Sequence, residues 1–439
     1  MNTPLVTIYI VNYNYSKYLK EAVLSVFNQT YANLEVILID DFSTDNSNEI
    51  IVDLLKKYDF KYIRNHTNLG LTAVNNQAIH YATGQYIMRL DADDILLPQC
   101  VELLLNKIRE DNATALVYGN WINISEDGKF LSKEQRLDIS KVQLLDTPAH
   151  GACTLFDLNI LRKIGGYDES FKKQDGYYIW LKVIFNYKVK NIEEVVFKYR
   201  KHNLSLSHDI SSLLEVRSRI LEKIAGSKVL PKTLAIVPLK SASLDSTESP
   251  FIEIEGTKLI DRVLIPLIKS KYISKTILIT SSIQIKNQIL KTYGDKISVI
   301  TRDLELEKPN KNLVESIRLI ESSIGGFEQY DNLLFRGIQS PFVKRHIIES
   351  SINYKSIFAP KQVICVCPEN FKFFRNKGNG LEMLFDPESE LKLERDQIFR
   401  KIPGFLLVSC EGWKNLLRFS KDYTPGYILA DKISSKSIL

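Results

Sequence analysis

Apolar and polar positions along the first half of the chain alternate between short unbroken apolar runs and stretches with helical spacing. "LVTIYIVNY" (5–13) is β-branched and continuous, and "SKYLKEAVLSVFNQT" (16–30) then spaces its apolar residues as an amphipathic helix does. The cycle repeats through strand "LEVILID" (34–40) and helix "NSNEIIVDLLKKY" (46–58), with Asn46 or Ser47 as N-cap. It repeats again through strand "FKYIRN" (60–65), helix "GLTAVNNQAIHYAT" (70–83) and strand "GQYIMRL" (84–90). Such alternation predicts an α/β domain built on a mostly parallel sheet. A helix over "ISSLLEVRSRILEKIAG", closed by Gly226, reads as a bridge. The α/β rhythm then restarts with "TLAIVPL", "KLIDRVLIPLIKS", "KTILITSS", "IQIKNQILKTYG" and "KISVIT". The expected organisation is therefore one domain over 1–208, a helical linker over 209–231 and a second α/β domain over 232–439.

Composition supports two cores. Of 439 residues, 44% are apolar and 25% charged, the profile of a globular protein. A net charge of +6 suits phosphates or an anionic membrane surface, but no basic stripe with interleaved aromatics argues for nucleic acid. Five scattered cysteines without a CxxC pair fit buried thiols in a reducing compartment. The N-terminal stretch lacks a basic region and cleavage pattern, and no uncharged apolar run is long enough to span a bilayer. A cytoplasmic protein, peripheral at most to the inner membrane face, is the expectation.

The chemistry-bearing signal is "MRLDADDILLP" (88–98), which ends a buried strand with Asp91, Asp93 and Asp94. In parallel sheets, ligands collect beyond the carboxyl ends of the strands. Asp40 and Asp41 end the second strand as Asp91 ends the fourth, so these acids should face one crevice. Taken alone, two acids at a turn are also what a solvated loop or a helix cap looks like, and Asp94 reads best as such a cap.

The ordered set "VTIYIVNYN", "EVILIDDFSTD", "NLGLTAVNNQAIHYATGQYIMRLDADD", "GGYDESFKKQDGYYIWLK" and "YRKH" resembles the family 2 glycosyltransferases with a GT-A fold, over residues 4–208. The resemblance implies a nucleotide-diphosphate sugar donor, usually a UDP-sugar, transferred with inversion to a glycan or lipid-linked acceptor. It gives Asp93 the divalent cation, Mn²⁺ or Mg²⁺, and Asp91 the ribose or the metal edge. A hard dication shared by carboxylates and phosphate oxygens would explain why such acids gather. By the same resemblance Asp41 accepts a hydrogen bond from the base, Tyr13 lies against its ring, and Asn76 and Arg200 contact the donor. His202 is implied as a third metal ligand or a phosphate donor, and Asp175 as the general base. Three positions depart from the pattern: Gln174 replaces a common Glu, Tyr178 stands where an acid often follows, and Asn75 stands where an Arg often does. His150 falls where relatives line the acceptor cleft.

Residues 232 to about 430 resemble the acylneuraminate cytidylyltransferases through "LAIVPL", "IEIEGTKLIDRVLIPLIKSKYISKTILITSS" and "LLFRGIQSPFV". The loop after the first strand, "KSASLDSTESPF", has neither glycine nor arginine and carries Asp245 and Glu248, a poor cradle for a triphosphate. The expectation is a catalytically degenerate nucleotidyltransferase-like domain kept for packing, homodimerisation or recognition; Lys240, Arg302 and Arg336 could bind an anion there but read better as structural or solvated residues. Two other readings stay open: a bifunctional enzyme that also activates an acidic sugar with CTP, and a non-catalytic binding protein of a polysaccharide assembly.

Overall fold

In the computed structural model β1 (Val6–Asn12) is buried along its whole length, as its unbroken apolar sequence requires of a central parallel strand. The structure describes residues 3–136, 138, 151–172, 175–202, 210–226, 230–239, 250–307, 313–368, 373–376, 381–385, 399–415 and 425–437. The first unit comprises Met1–Asp209 together with Phe371–Asp396, and the second Ile210–Asn370 with Gln397–Leu439.

The first unit runs β1, α1 (Ser16–Phe27), β2 (Leu34–Asp40), α2 (Ser47–Leu55), β3 (Lys61–Arg64), α3 (Leu71–Tyr81) and β4 (Tyr86–Asp91). It continues through β5 (Ile95–Leu96), α4 (Cys100–Arg109), β6 (Thr114–Ile124), β7 (Phe130–Glu134), β8 (Leu155–Asp157), α5 (Leu158–Lys163), α6 (Asp175–Ile184) and β9 (Lys188–Arg200). The sheet order is β3-β2-β1-β4-β8-β6-β9-β5, with β7 paired to β6. The first four strands are parallel, as expected. Beyond β4 the sheet turns mixed, because β8 runs antiparallel to both β4 and β6. Leu19, Val23 and Val26 of α1 pack with Ile8, Ile10, Leu38, Met88 and Leu90 of the strands into one core. Neither Asn46 nor Ser47 caps α2 through its side chain; Asp45 accepts from the Ser47 N–H at 3.0 Å and from the Ser16 N–H at 2.9 Å, fixing the starts of two helices at once.

The second unit opens with α7 (Ile210–Ala225), the helix expected as a bridge. It belongs to this unit, where Ser218 Oγ donates to the His346 carbonyl at 3.1 Å and Ile220 and Leu221 are buried. After β10 (Thr233–Pro238) come a short hairpin, β11 (Glu253–Ile254) and β12 (Thr257–Lys258), then α8 (Leu259–Ile268), β13 (Ile273–Thr280), α9 (Ile283–Tyr293) and β14 (Ser298–Thr301). α10 (Leu313–Ile324), β15 (Asn332–Arg336), α11 (Arg345–Phe358) and β16 (Gln362–Pro368) follow. The hairpin β17 (Phe373–Asn376) and β18 (Leu381–Phe385) clusters with the first unit, and β19 (Phe399–Ser409) and β20 (Gly426–Leu429) close the second. The order is β14-β13-β10-β15-β19-β16-β20, parallel from β14 to β15 and antiparallel where β19 enters. This is an α/β unit, as the second apolar rhythm predicts.

Gly84 shows how tightly β1 and β4 are joined. A Cβ there would lie 2.8 Å from both the Leu5 carbonyl and the Thr7 nitrogen, backbone atoms that cannot swing away. Gly84→Ala should therefore destabilise the first unit by about 1–3 kcal/mol, read as a lower urea midpoint. An unchanged midpoint would contradict this packing.

Candidate active site

The parallel register sets the carboxyl ends of three strands side by side. Asn12 pairs with Asp40 across β1 and β2, and Val11 with Asp91 across β1 and β4. The acids Asp40, Asp41 and Asp91 thus share one edge of the sheet, as their place at strand ends predicts. Asp40 is fully buried and accepts from Asn12 Nδ2 at 2.7 Å and the Ser43 N–H at 3.2 Å. Asp41 is buried and organises the loop before α3, accepting from Asn65 Nδ2 (2.8 Å) and the N–H groups of Leu69 (2.9 Å) and Gly70 (2.8 Å). Tyr13 next to Asn12 is 44% exposed and Phe42 next to Asp41 is 42% exposed, so two aromatic faces stand at the mouth of this edge. Phe42 holds a left-handed backbone, φ 69°, a conformation that disfavours a bulky side chain.

On β4 the period of two puts Arg89 and Asp91 on the same face. Arg89 is buried, and its Nη1 donates to Asp175 Oδ2 at 2.6 Å. Its Nη2 donates to Asp91 Oδ2 at 3.4 Å, and its Nε stands 3.0 Å from Asp91 Oδ1 without hydrogen-bond alignment. Burial works against the guanidinium charge, but Asp91 and Asp175 outweigh it and hold Arg89 well above its ordinary range. Asp175 opens α6, and its Oδ2 also accepts from Asn75 Nδ2 at 3.1 Å, while Tyr9 donates to Asn75 Oδ1 at 3.1 Å. Neither Arg89 nor Tyr9 is among the residues the sequence singled out; the signal was a lone charge inside the buried run "GQYIMRL".

The next turn carries Asp93 and Asp94. His202 Nε2 lies 2.8 Å from Asp93 Oδ2, and the imidazole stacks on Tyr18 with ring centroids 5.8 Å apart. Asp94 accepts from the Arg200 N–H at 3.0 Å through Oδ1, while its Oδ2 is buried without a partner. Burial, with Asp93 and Asp91 adding, pushes the Asp94 carboxyl well above the carboxylate range. Asp94 thus ties β9 to the turn and caps no helix. Asp91 is pushed up to about 6 by burial, with Arg89 opposing and Asp93 and Asp175 reinforcing.

Three expected positions fall differently. Arg200 is buried and spends its guanidinium on its own chain: Nε donates to the Asp93 carbonyl at 3.0 Å, Nη1 to the Glu126 carbonyl at 2.9 Å, and Nη2 to Glu21 at 2.6 Å. Asn76, expected at the donor, straps the loop after α5, donating to the Tyr167 carbonyl at 3.0 Å and to Glu169 at 2.9 Å and accepting from the Tyr167 N–H at 2.9 Å. Among the described residues no three His, Cys, Asp or Glu side chains converge to hold a metal. Asp93 and His202 meet, whereas Asp91 is turned to Arg89. His150 and Gln174 lie outside the described residues.

In the second unit, Arg302 is buried against Glu307 at 3.3 Å and donates to Ser316 Oγ and the Leu239 carbonyl, both at 2.9 Å. Arg336 is fully buried and donates to the carbonyls of Gly337 at 2.9 Å and Ser340. Lys240 lies outside the described residues.

The raised Asp91 has a testable sign. Folding favours its protonated form, so its contribution to stability is complete below the ordinary carboxylate range and is lost as pH rises through about 6. In EDTA, Asp91→Asn should gain stability relative to the parent protein between about pH 4 and pH 7. A difference that does not change with pH in urea unfolding would contradict the crowding of charge around Asp91.

Residues 7–166 match the model of Glycosyl transferase family 2. The chain is 31% identical over 200 residues to the chondroitin synthase of Pasteurella multocida, 45% of this chain but 21% of that protein. It therefore spans about a fifth of the length of that synthase. It is 32% identical over 222 residues to an uncharacterized glycosyltransferase of Rickettsia typhi, covering 48% of this chain and 69% of the relative. It is also 33% identical over 216 residues to one of Methanocaldococcus jannaschii, covering 46% and 73%. The GT-A fold expected of such enzymes accords with the mixed sheet, its parallel strands ending in acids, and the chain belongs to glycosyl transferase family 2.

Proposed function

We propose that the N-terminal unit moves a sugar, with inversion, from a UDP-sugar to a hydroxyl of a glycan or lipid-linked acceptor, in the synthesis of a surface polysaccharide. The observation that carries this reading is the meeting of Asp93 and His202 at 2.8 Å beside Asp91 and Asp94, carboxyls pushed up by burial and by one another. The partnerless Oδ2 of Asp94 and the raised Asp91 are what a site built around a cation looks like before the cation arrives. Asp93 and His202 fit as its ligands, with the remaining positions left to the diphosphate. A Mn²⁺ or Mg²⁺ ion there would neutralise charge on the leaving diphosphate.

The chain's own residues do the rest. Tyr13 offers an exposed ring to the base, and Asp41 holds the loop from Asn65 to Gly70 so that the base meets a fixed wall. Asp175 takes the proton of the acceptor hydroxyl as that oxygen attacks the anomeric carbon from the face opposite the diphosphate. Relatives named for chondroitin and hyaluronan synthesis favour a glycan product. No helix among the described residues is long and apolar enough to cross a membrane. For the second unit, the engagement of Arg302 and Arg336 by their own fold supports a scaffold rather than a second catalytic centre.

UDP with Mn²⁺ should raise the unfolding temperature by about 5 °C at saturation, because a ligand that binds only the folded state stabilises it. Asp93→Ala should abolish the rise, and a rise that survives this change overturns the metal assignment. Asp175→Asn should leave the rise intact while UDP-sugar turnover falls by roughly 10²–10⁴. Unaltered turnover would remove Asp175 from the reaction.

A further inference from the structure

We propose that Arg89 is a positioning residue for sugar transfer: with Asn75 it occupies Oδ2 of Asp175 and reserves Oδ1 for the acceptor's proton. The inference rests on the reading of Asp175 as the base.

The geometry is specific. Both contacts to Asp175, Arg89 Nη1 at 2.6 Å and Asn75 Nδ2 at 3.1 Å, fall on the same oxygen. Among the described residues Oδ1 meets no donor, although the side chain retains 13% exposure. Asn75 is itself fixed by Tyr9, and the backbone of Gly151 closes on the guanidinium so tightly that a Cβ there would lie 3.0 Å from Nη2. Carboxylate, buried guanidinium and carboxylate therefore form a row, Asp175–Arg89–Asp91, in which one cation serves two partly exposed acids. A row with that arrangement needs no guanidinium contact with substrate. It fixes which oxygen of the base is free and how far the base stands from the acid at the donor edge.

The proton balance is direct. The acceptor O–H proton passes to Oδ1, the new carbon–oxygen bond forms, and the bond to the diphosphate breaks with its electron pair. Among the described residues, the charged and titratable groups facing Asp175 are Arg89 and Asp91 from β4, Tyr9 from β1 and Tyr167 from the loop before α6. Arg89 is the cation of that set. Removing it takes away an attractive charge and leaves two acids facing one another, so the base becomes harder to deprotonate.

The test measures hydrolysis of UDP-glucose and UDP-N-acetylglucosamine with Mn²⁺, water serving as acceptor, across about pH 5–9 for the parent, R89K, R89Q and N75A. In R89Q the acid limb of kcat should move up by about 1–3 pH units. In R89K the limb should stay near that of the parent while kcat falls roughly 10- to 100-fold at little-changed donor KM, since charge is kept and the fork is lost. N75A should shift the limb less than R89Q, because Asn75 is neutral. A limb that stays put in R89Q, or a loss confined to donor KM, overturns the inference. If R89Q does not fold, R89Q/D91N replaces it with D91N as its reference: loss of the Arg89 charge alone should still move the limb up, and a limb that stays put overturns the inference. ¹³C-carboxyl NMR of aspartate-labelled protein, with Asp175 assigned through D175N, reads the same titration without turnover. Should the parent hydrolyse neither donor, the transferase reading fails, and the NMR midpoint alone decides: a rise in R89Q sustains Arg89's hold on Asp175, and an unmoved midpoint removes it.

Discussion

Buried negative charge at the carboxyl end of β4 is the constraint around which the first unit is arranged. Asp91, Asp93 and Asp94 sit within one turn, and Asp175 is brought up from α6. Taking carboxylates out of water is costly unless opposite charge or donors meet them. Arg89 meets two of the four, His202 meets Asp93, and the Arg200 N–H meets one oxygen of Asp94. Burial and mutual repulsion push the Asp91 and Asp94 carboxyls up, and a cation arriving there would relieve both.

Meeting that charge draws distant parts of the chain together. His202 and Asp93 are 109 residues apart, Arg89 and Asp175 are 86 apart, and Arg200 reaches Glu21 across 179. β9 ends at Arg200, whose backbone N–H and Nε both hold the turn at Asp93 and Asp94, so the strand is delivered to the site together with the imidazole that follows it. α3 delivers Asn75 to Asp175 on one side and Asn76 to the loop at Tyr167 on another. The same carboxylates that suit a nucleotide diphosphate and its cation thus fix the ends of α3, α6 and β9 around them.

The sheet around β1, β2 and β4 was readable because these strands are mostly apolar runs and the helices between them carry regular spacing, whereas β3, KYIR, is short and half-exposed. The acids were readable because strand ends in a parallel sheet face one crevice. The mixed half was not: β6 interleaves Asn120 and Asn123 among apolar residues, and their tertiary partners, the Glu193 carbonyl and Ser132, make them strand interior. The motif around Arg200 reads as a cation beside a phosphate site, but Glu21 and two backbone carbonyls consume its donors, a fact of packing that sequence order does not contain. Arg89 was hidden for the opposite reason. A charge in a buried run signals a partner, and its partner, Asp175, lies on a helix far along the chain.

Anomalous diffraction from crystals soaked with Mn²⁺ and UDP locates the cation. One manganese peak is expected about 2.2 Å from both a carboxylate oxygen of Asp93 and Nε2 of His202, with diphosphate oxygens completing the shell. UDP bound at this strand edge with no manganese there, or with the Asp93–His202 pair still closed at 2.8 Å, would contradict it.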